Sequence, residues 1–175
     1  MLLFAHLGLT LAAGRLASRA DLACLALGSI LPDIIDKPLG LIVFGTPSMG
    51  RTVAHTFLFL LIITLLAIRF HDLRIASISG GIATHLVLDF MWMSPVTLFW
   101  PLLGNFPITT GLGTFGYFQH LLFELRDPAV LVPELLGLSY LIYFAFEHRS
   151  IMVVGLRKVV EGHKTLKAIV LMLFH

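Results

Sequence analysis

Charge is scarce in this sequence. Asp, Glu, Lys and Arg make up 13% of its 175 residues, about half the roughly 25% of a soluble domain. Cysteine is nearly absent. Cys24 stands alone, so an intramolecular disulfide and a cysteine-based zinc cluster are both excluded, and Cys24 reads as a small packing residue. No stretch is rich in serine or in charge, and no internal repeat is found, which leaves no linker, repeat array or disordered segment. What fills the sequence instead is apolar: 58% of residues are hydrophobic and the mean hydropathy is +0.95. A soluble fold of this size has no interior large enough to hide that surplus, so the composition indicates an integral membrane protein of one domain's length. Met1 to His6 lack a basic region and include a histidine, so they are read as mature fold rather than as a signal peptide.

The apolar segments differ in length. Residues 129–146 form a run interrupted only by Pro133, Glu134 and Ser139, nearly the ~20 residues that cross a bilayer core of ~30 Å. Residues 54–70 are similar, and 75–93 follow after the polar turn His71-Asp72-Leu73-Arg74. Residues 2–13 and 22–31 are shorter, which predicts half-spans or buried helices joined by the polar turn 15–21. Strands are disfavoured, because open sheet edges in lipid leave backbone groups unpaired. Residues 32–50, with three prolines and three glycines, read as a loop or re-entrant piece, as do 104–116. The expected fold is all-α: a polytopic membrane helical bundle with short half-span helices around a polar site. Its membrane-embedded domain covers 1–147, and a basic amphipathic tail covers 148–175.

An alternating path through these segments puts Arg15, Arg19, Arg69, Arg74, Arg149, Arg157, Lys158, Lys164 and Lys167 on one side, leaving Lys37, Arg51 and Arg126 on the other. Positive loops stay in the cytoplasm, so the tail is expected to be cytoplasmic in a protein of the cell membrane.

The same path gathers polar side chains at the opposite end. Asp33 and Asp36 follow the second segment, Arg51 and His55 open the third, and His85 and Asp89 lie near the end of the fourth. From His55 to His71 and from His71 back to His85 the climbs are equal within a few ångströms, at about 1.5 Å per residue, so His55 and His85 return to one level. His6 on the first short helix reaches the same region. His85/Asp89 and His120/Glu124 are both i,i+4 pairs, each on one helix face. Imidazole nitrogen and carboxylate oxygen suit zinc or a similar divalent ion, and such groups are expensive in a membrane unless they pair or bind an ion. Each has a plain alternative: a hydrogen-bonded helix pair for His85 and Asp89, an interfacial segment for His120 and Glu124, a turn after Pro32 for Asp33, a packed histidine for His6. Their convergence favours the metal reading. His71, His148, His163 and His175 lie in the turn or tail and are set apart. Trp92 and Trp100 read as interface anchors.

The order His6, Leu31-Pro32-Asp33-Ile34-Ile35-Asp36, Arg51-Thr52-Val53-Ala54-His55-Thr56, Thr84-His85-Leu86-Val87-Leu88-Asp89 and Phe99-Trp100-Pro101-Leu102 resembles the YdjM-like membrane-bound metal-dependent hydrolases over about residues 1–105. That family pattern has an aspartate pair after Leu-Pro, an Arg-x-x-Thr-His-Ser block and a His-x-x-x-Asp block. The sequence departs from it at Ala54, at Thr56, at Gly50 (where a histidine is often found) and in having two residues between its aspartates. Asp33, His55, His85 and Asp89 match. More distantly, the series His6, Asp33, His55, His85/Asp89, His120/Glu124 is similar in order to zinc-dependent phospholipase C and the related single-strand nucleases.

The resemblance implies a divalent metal, zinc first with manganese or magnesium as alternatives, held by His6, Asp33, His55, His85, Asp89, His120 and Glu124. A metal-activated water would be the nucleophile, Asp36 would take a proton or complete the shell, and Arg51 would stabilise phosphate charge. A site at the bilayer edge points to a phosphoester of a lipid or lipid-linked substrate, with no nucleic acid expected as partner. Two rivals are weighed. A metal-independent lipid phosphatase with a phosphohistidine needs an arginine six residues before His85, where Ser79 stands. A non-catalytic metal-binding membrane protein or transporter would use the same cluster, but no matching halves are evident. The absence of His-Glu-x-x-His and of His-x-x-x-His disfavours metalloproteases and di-iron desaturases.

Overall fold

A computed structural model describes residues 3–43, 50–107 and 122–149, together with 116 and 119. Among the described residues every regular element is helical and none is a strand. Helix α1 spans Leu3–Gly14, α2 Leu22–Val43, α3 Phe57–Phe70 and α4 Leu73–Leu88; a last helix spans Pro128–Glu147. Packing divides the chain after Tyr140, within that last helix, and the candidate site lies wholly in the first unit.

The elements start and stop where local chemistry allows. Asp21 opens α2: its Oδ1 accepts the Cys24 N–H at 3.0 Å, a bond that holds its carboxyl below the usual carboxylate range. Thr56 caps α3, accepting the Phe59 N–H at 3.0 Å, so that helix begins at Phe57 rather than at residue 54. His71 takes a left-handed conformation (φ 52°) and ends α3; Asp72 then caps α4 by accepting the Arg74 N–H at 2.7 Å. Helix α4 stops at Leu88 instead of running to 93, because Phe90 is left-handed (φ 52°) and residues Met91–Met93 form a 3-10 turn.

The largest departure from the sequence reading is in α2. The proline-rich stretch expected to be a loop is helical as far as Val43, with Pro32 and Pro38 inside the helix. Proline removes an intrahelical donor, yet the burial pattern is that of a continuous helix: Leu25, Gly28, Ser29, Pro32, Asp36 and Gly40 are buried, a stripe at three- and four-residue steps. Membrane helices tolerate proline where neighbouring groups satisfy the freed backbone. Residue 104 onward includes a further expected loop, of which 108–115 lie outside the described residues.

Helices α2 and α4 meet backbone to backbone. A Cβ on Gly28 would stand 2.2 Å from the Ile78 carbonyl oxygen, and one on Gly81 would stand 2.2 Å from that of Leu25. Only glycine permits that approach, the small-residue packing that membrane helices use. A small apolar core of Ile82, Leu86 and Met91 fills the space towards α3, with Phe59, Leu60 and Ile63 against it. Elsewhere the usual arrangement is inverted. His6, His55, His85, Asp36, Thr10 and Thr52 are among the most buried side chains, while Leu65, Ile68, Phe70 and Leu61 of α3 face outward. An apolar exterior around a polar interior is what a lipid solvent selects.

By length and composition, Pro128–Glu147 is the described helix able to cross a membrane. Helices α3 and α4, with 14 and 16 residues, reach about 21 and 24 Å, short of the core thickness of about 30 Å.

Candidate metal centre

Four elements bring the site together. Helix α2 carries Ser29, Asp33 and Asp36 at i, i+4 and i+7, one stripe of one face, which exists only because the helix continues through Pro32. The 3-10 turn Val53–His55 presents His55, the last turn of α4 presents His85 with Asp89 at its C-cap, and α1 presents His6. His55 and His85, expected at one level, have Nε2 atoms 3.1 Å apart.

Asp36 builds the His55 turn. It is fully buried, and its oxygens accept the backbone N–H groups of Thr52 (2.7 Å), Ala54 (3.0 Å) and His55 (3.2 Å). Its Oδ2 also lies 2.7 Å from His55 Nδ1. A carboxylate so engaged fixes a turn and an imidazole together. Thr56, where the family pattern has serine, supplies an equivalent hydroxyl: it donates to the Val53 carbonyl at 2.8 Å while capping α3.

These contacts set both tautomers. A carboxylate only accepts, so the hydrogen between Asp36 and His55 sits on Nδ1; a carbonyl only accepts, so the hydrogen in the 2.6 Å contact between His85 Nδ1 and the Ser29 oxygen is also on Nδ1. With both Nδ1 atoms so engaged, the two Nε2 atoms are left facing each other at 3.1 Å, with both residues fully buried. Two nitrogens at that distance need a cation between them, a shared proton or a metal ion.

Further donors surround the same point. His55 Nε2 is 3.7 Å from Asp33 Oδ1 and 3.8 Å from Asp89 Oδ2, and His6 Nε2 is 3.1 Å from Asp89 Oδ1. Two overlapping groups result, His6–His85–Asp89 and Asp33–His55–His85, each with ligand atoms within 4.8 Å of one another. Tetrahedral zinc with bonds of about 2.1 Å spaces its ligands by about 3.4 Å, within the 3.1–3.8 Å found between these atoms. The donors present therefore fit a divalent ion in number, type and spacing. His85 belongs to both groups, and since its Nδ1 is committed to Ser29, its single remaining nitrogen links them.

Cations rim the cluster. Arg51 Nη2 is 2.9 Å from Asp89 Oδ2, and Lys37 Nζ is 2.7 Å from Asp33 Oδ2; the two basic side chains are 49% and 46% exposed, so both reach the surface.

His6, Asp33, Arg51, His55, His85 and Asp89 are thus drawn together as the sequence implied, with Asp36 behind His55 rather than among the facing donors. His120 lies outside the described residues. Glu124 is described, and neither of the two His/Asp groups among the described residues includes it. The sequence reading missed the Ser29 carbonyl, Lys37 and Glu134. The last is a buried carboxylate in an apolar run, itself a signal, since an ionisable residue at membrane depth has a partner or a role.

Neither a curated protein nor a solved structure gives a significant match to the chain. A family model does: the one described as YdjM inner membrane protein matches residues 1–159, a stretch that contains every residue of the cluster. With more than half of its length matched, and with an apolar exterior around a polar interior, the chain belongs to the YdjM family of inner membrane proteins.

Proposed function

We propose that the chain is a polytopic, membrane-bound, metal-dependent hydrolase that cleaves a phosphoester of a lipid or lipid-linked substrate. One observation carries the metal reading: two buried imidazoles with both Nδ1 atoms engaged and their Nε2 atoms converging at 3.1 Å. A proton alone would bridge two atoms; three imidazoles and two carboxylates converge here, the ligand complement of an ion. Nitrogen and oxygen donors in this number suit zinc first, then manganese or magnesium. The ligand order, similar to that of zinc-dependent phospholipase C, points the same way.

A bound divalent ion supplies Lewis acidity and lowers the pKa of a coordinated water towards about 7. The protein's own residues do the rest. Asp36 and Ser29 hold the His55 and His85 rings so that Nε2 faces inward, the outer-shell arrangement that fixes tautomer and orientation. Arg51, half-exposed on the rim, presents a planar fork to phosphate oxygens, and Lys37 adds a point charge beside Asp33. The outward-facing apolar side chains of α3, Leu61, Leu65, Ile68 and Phe70 among them, suit a protein whose substrate already resides in lipid. By the positive-inside rule, the basic residues of the turns at 15–19 and 69–74 and of the sequence after residue 147 favour a cytoplasmic tail. A membrane-impermeant label on residue 175 should therefore react only after the cytoplasmic face is opened, whereas reaction in intact cells would invert the topology.

The enzymatic reading is tested on protein purified in mild detergent and offered phospholipids, lipid pyrophosphates and a generic aryl phosphodiester. At least one should turn over, with activity lost on chelation and restored by zinc or manganese. Asp33→Asn, His55→Ala and Asp89→Asn should each abolish turnover, their combined effect falling far short of additive because the members act as a unit. Metal-loaded protein that cleaves none of them would overturn the phosphoester assignment and point to another bond, an amide or a carboxyl ester, and activity surviving metal removal would indicate a phosphohistidine mechanism.

A further inference from the structure

We propose that Glu134 is a positioning residue of the metal centre: its carboxylate seats the first turn of α1 and, through it, the His6 imidazole. The proposal rests on the metal reading above but concerns a residue outside the cluster. Glu134 is buried, 5% exposed, on a helix otherwise apolar enough to span a membrane. Its two oxygens divide between two successive amides: Oε2 accepts the Phe4 N–H at 3.1 Å and Oε1 the Ala5 N–H at 3.3 Å.

Those amides belong to the first turn of a helix, whose N–H groups have no partner within it. Lipid offers them none either, and the positive end of the helix dipole favours a carboxylate there. One turn along the same helix, Gly137 extends the grip. A Cβ on it would stand 2.2 Å from the Phe4 oxygen, and a Cβ on Gly8 would stand 2.2 Å from the Gly137 oxygen, so the two backbones touch. Helix α1 is thus fixed at its start by a forked carboxylate and beside it by direct backbone contact.

His6 follows Ala5 directly. Its ring centroid is 4.2 Å from that of His85, and its Nε2 is 3.1 Å from Asp89 Oδ1. The other donors come from α2, the 3-10 turn and α4, whereas α1 contributes His6 alone. An ångström of slippage in α1 would take one ligand out of reach and leave the others where they are, the sensitivity expected when a ligand depends on its supporting shell. Thr10 and Leu11 are buried further along the same helix, so α1 has packing of its own beyond Glu134.

Cobalt(II) titration of the full-length protein in detergent provides the test, because the visible spectrum reports coordination as well as affinity. Relative to wild type, Glu134→Ala should weaken cobalt binding by about 10–100-fold, the usual effect of losing an outer supporting group, and should shift the spectrum in the same direction as His6→Ala. Combined with His6→Ala it should cost nothing further, since both changes remove the same ligand. Glu134→Gln, whose amide oxygen serves one N–H instead of two, should lie between; it also keeps the side-chain volume and carries the comparison if the alanine variant does not fold. Wild-type affinity and spectrum in both Glu134 variants, beside an altered His6→Ala, would overturn the role of Glu134 and leave the metal centre standing. Losses that multiply in the double variant would likewise overturn it. Wild-type protein that binds no cobalt would remove the centre itself.

Discussion

His85→Ala should deprive the protein of its divalent ion, with affinity falling by more than the roughly 10–100-fold typical of an outer-shell loss. His85 is the residue that both donor groups share. It is fully buried, its Nδ1 is held by the Ser29 carbonyl at 2.6 Å, and its Nε2 faces that of His55 at 3.1 Å. Truncation removes the ligand common to both groups. Metal analysis of protein purified in mild detergent measures the effect. Asp72→Asn, in the turn between α3 and α4, provides the control: asparagine keeps the cap on Arg74 and should keep the metal. Stoichiometric metal in His85→Ala would show that the ion sits elsewhere.

Asp36→Ala is the second change with a large expected effect, and there the loss should appear in stability as well as in metal. Asp36 is fully buried and receives three backbone N–H groups together with Nδ1 of His55. Removing its carboxylate takes the acceptor from the Thr52 and Ala54 N–H groups and from Nδ1, while the His55 N–H keeps only the Thr52 carbonyl at 3.3 Å; each buried donor left unsatisfied costs about 1–3 kcal/mol. The melting temperature in detergent should fall sharply, and the metal should be lost because the 3-10 turn then keeps only its own short-range bonds and nothing sets the His55 tautomer. Asp36→Asn should be milder in stability but still defective in metal binding, since its amide can present a donor where Nδ1 needs an acceptor. A variant that melts like wild type would show that the turn does not depend on Asp36.

The two variants also separate what was legible in the sequence from what was not. His85 with Asp89 could be read directly, because i,i+4 spacing on a helix puts both side chains on one face whatever surrounds them. The meeting of His55 and His85 followed from equal climbs around the turn at His71. Asp36 was visible as a residue but not in its role: what fixes it is a set of amides 16 to 19 residues away, a tertiary fact without a local signature. Pro32 and Pro38 misled for a related reason. Proline argues for a break when weighed locally, yet the stripe from Leu25 through Ser29 and Asp36 packs on α4 and the His55 turn, and that packing outweighs the lost donors. Segment ends shifted by a few residues wherever a cap intervened, as at Thr56 and Phe90. Glu134 was legible only as an anomaly, because its partners lie about 130 residues earlier in the chain.

X-ray absorption at the metal edge of the purified, metal-loaded wild-type protein probes the centre most directly. A stoichiometric divalent ion should be found, zinc first, in a shell of nitrogen and oxygen at about 2.0–2.2 Å, with the outer scattering of more than one imidazole and no sulfur. Protein that carries no ion and regains none from zinc or manganese, or a shell without imidazole, would contradict the assignment of His6, His55 and His85 as ligands.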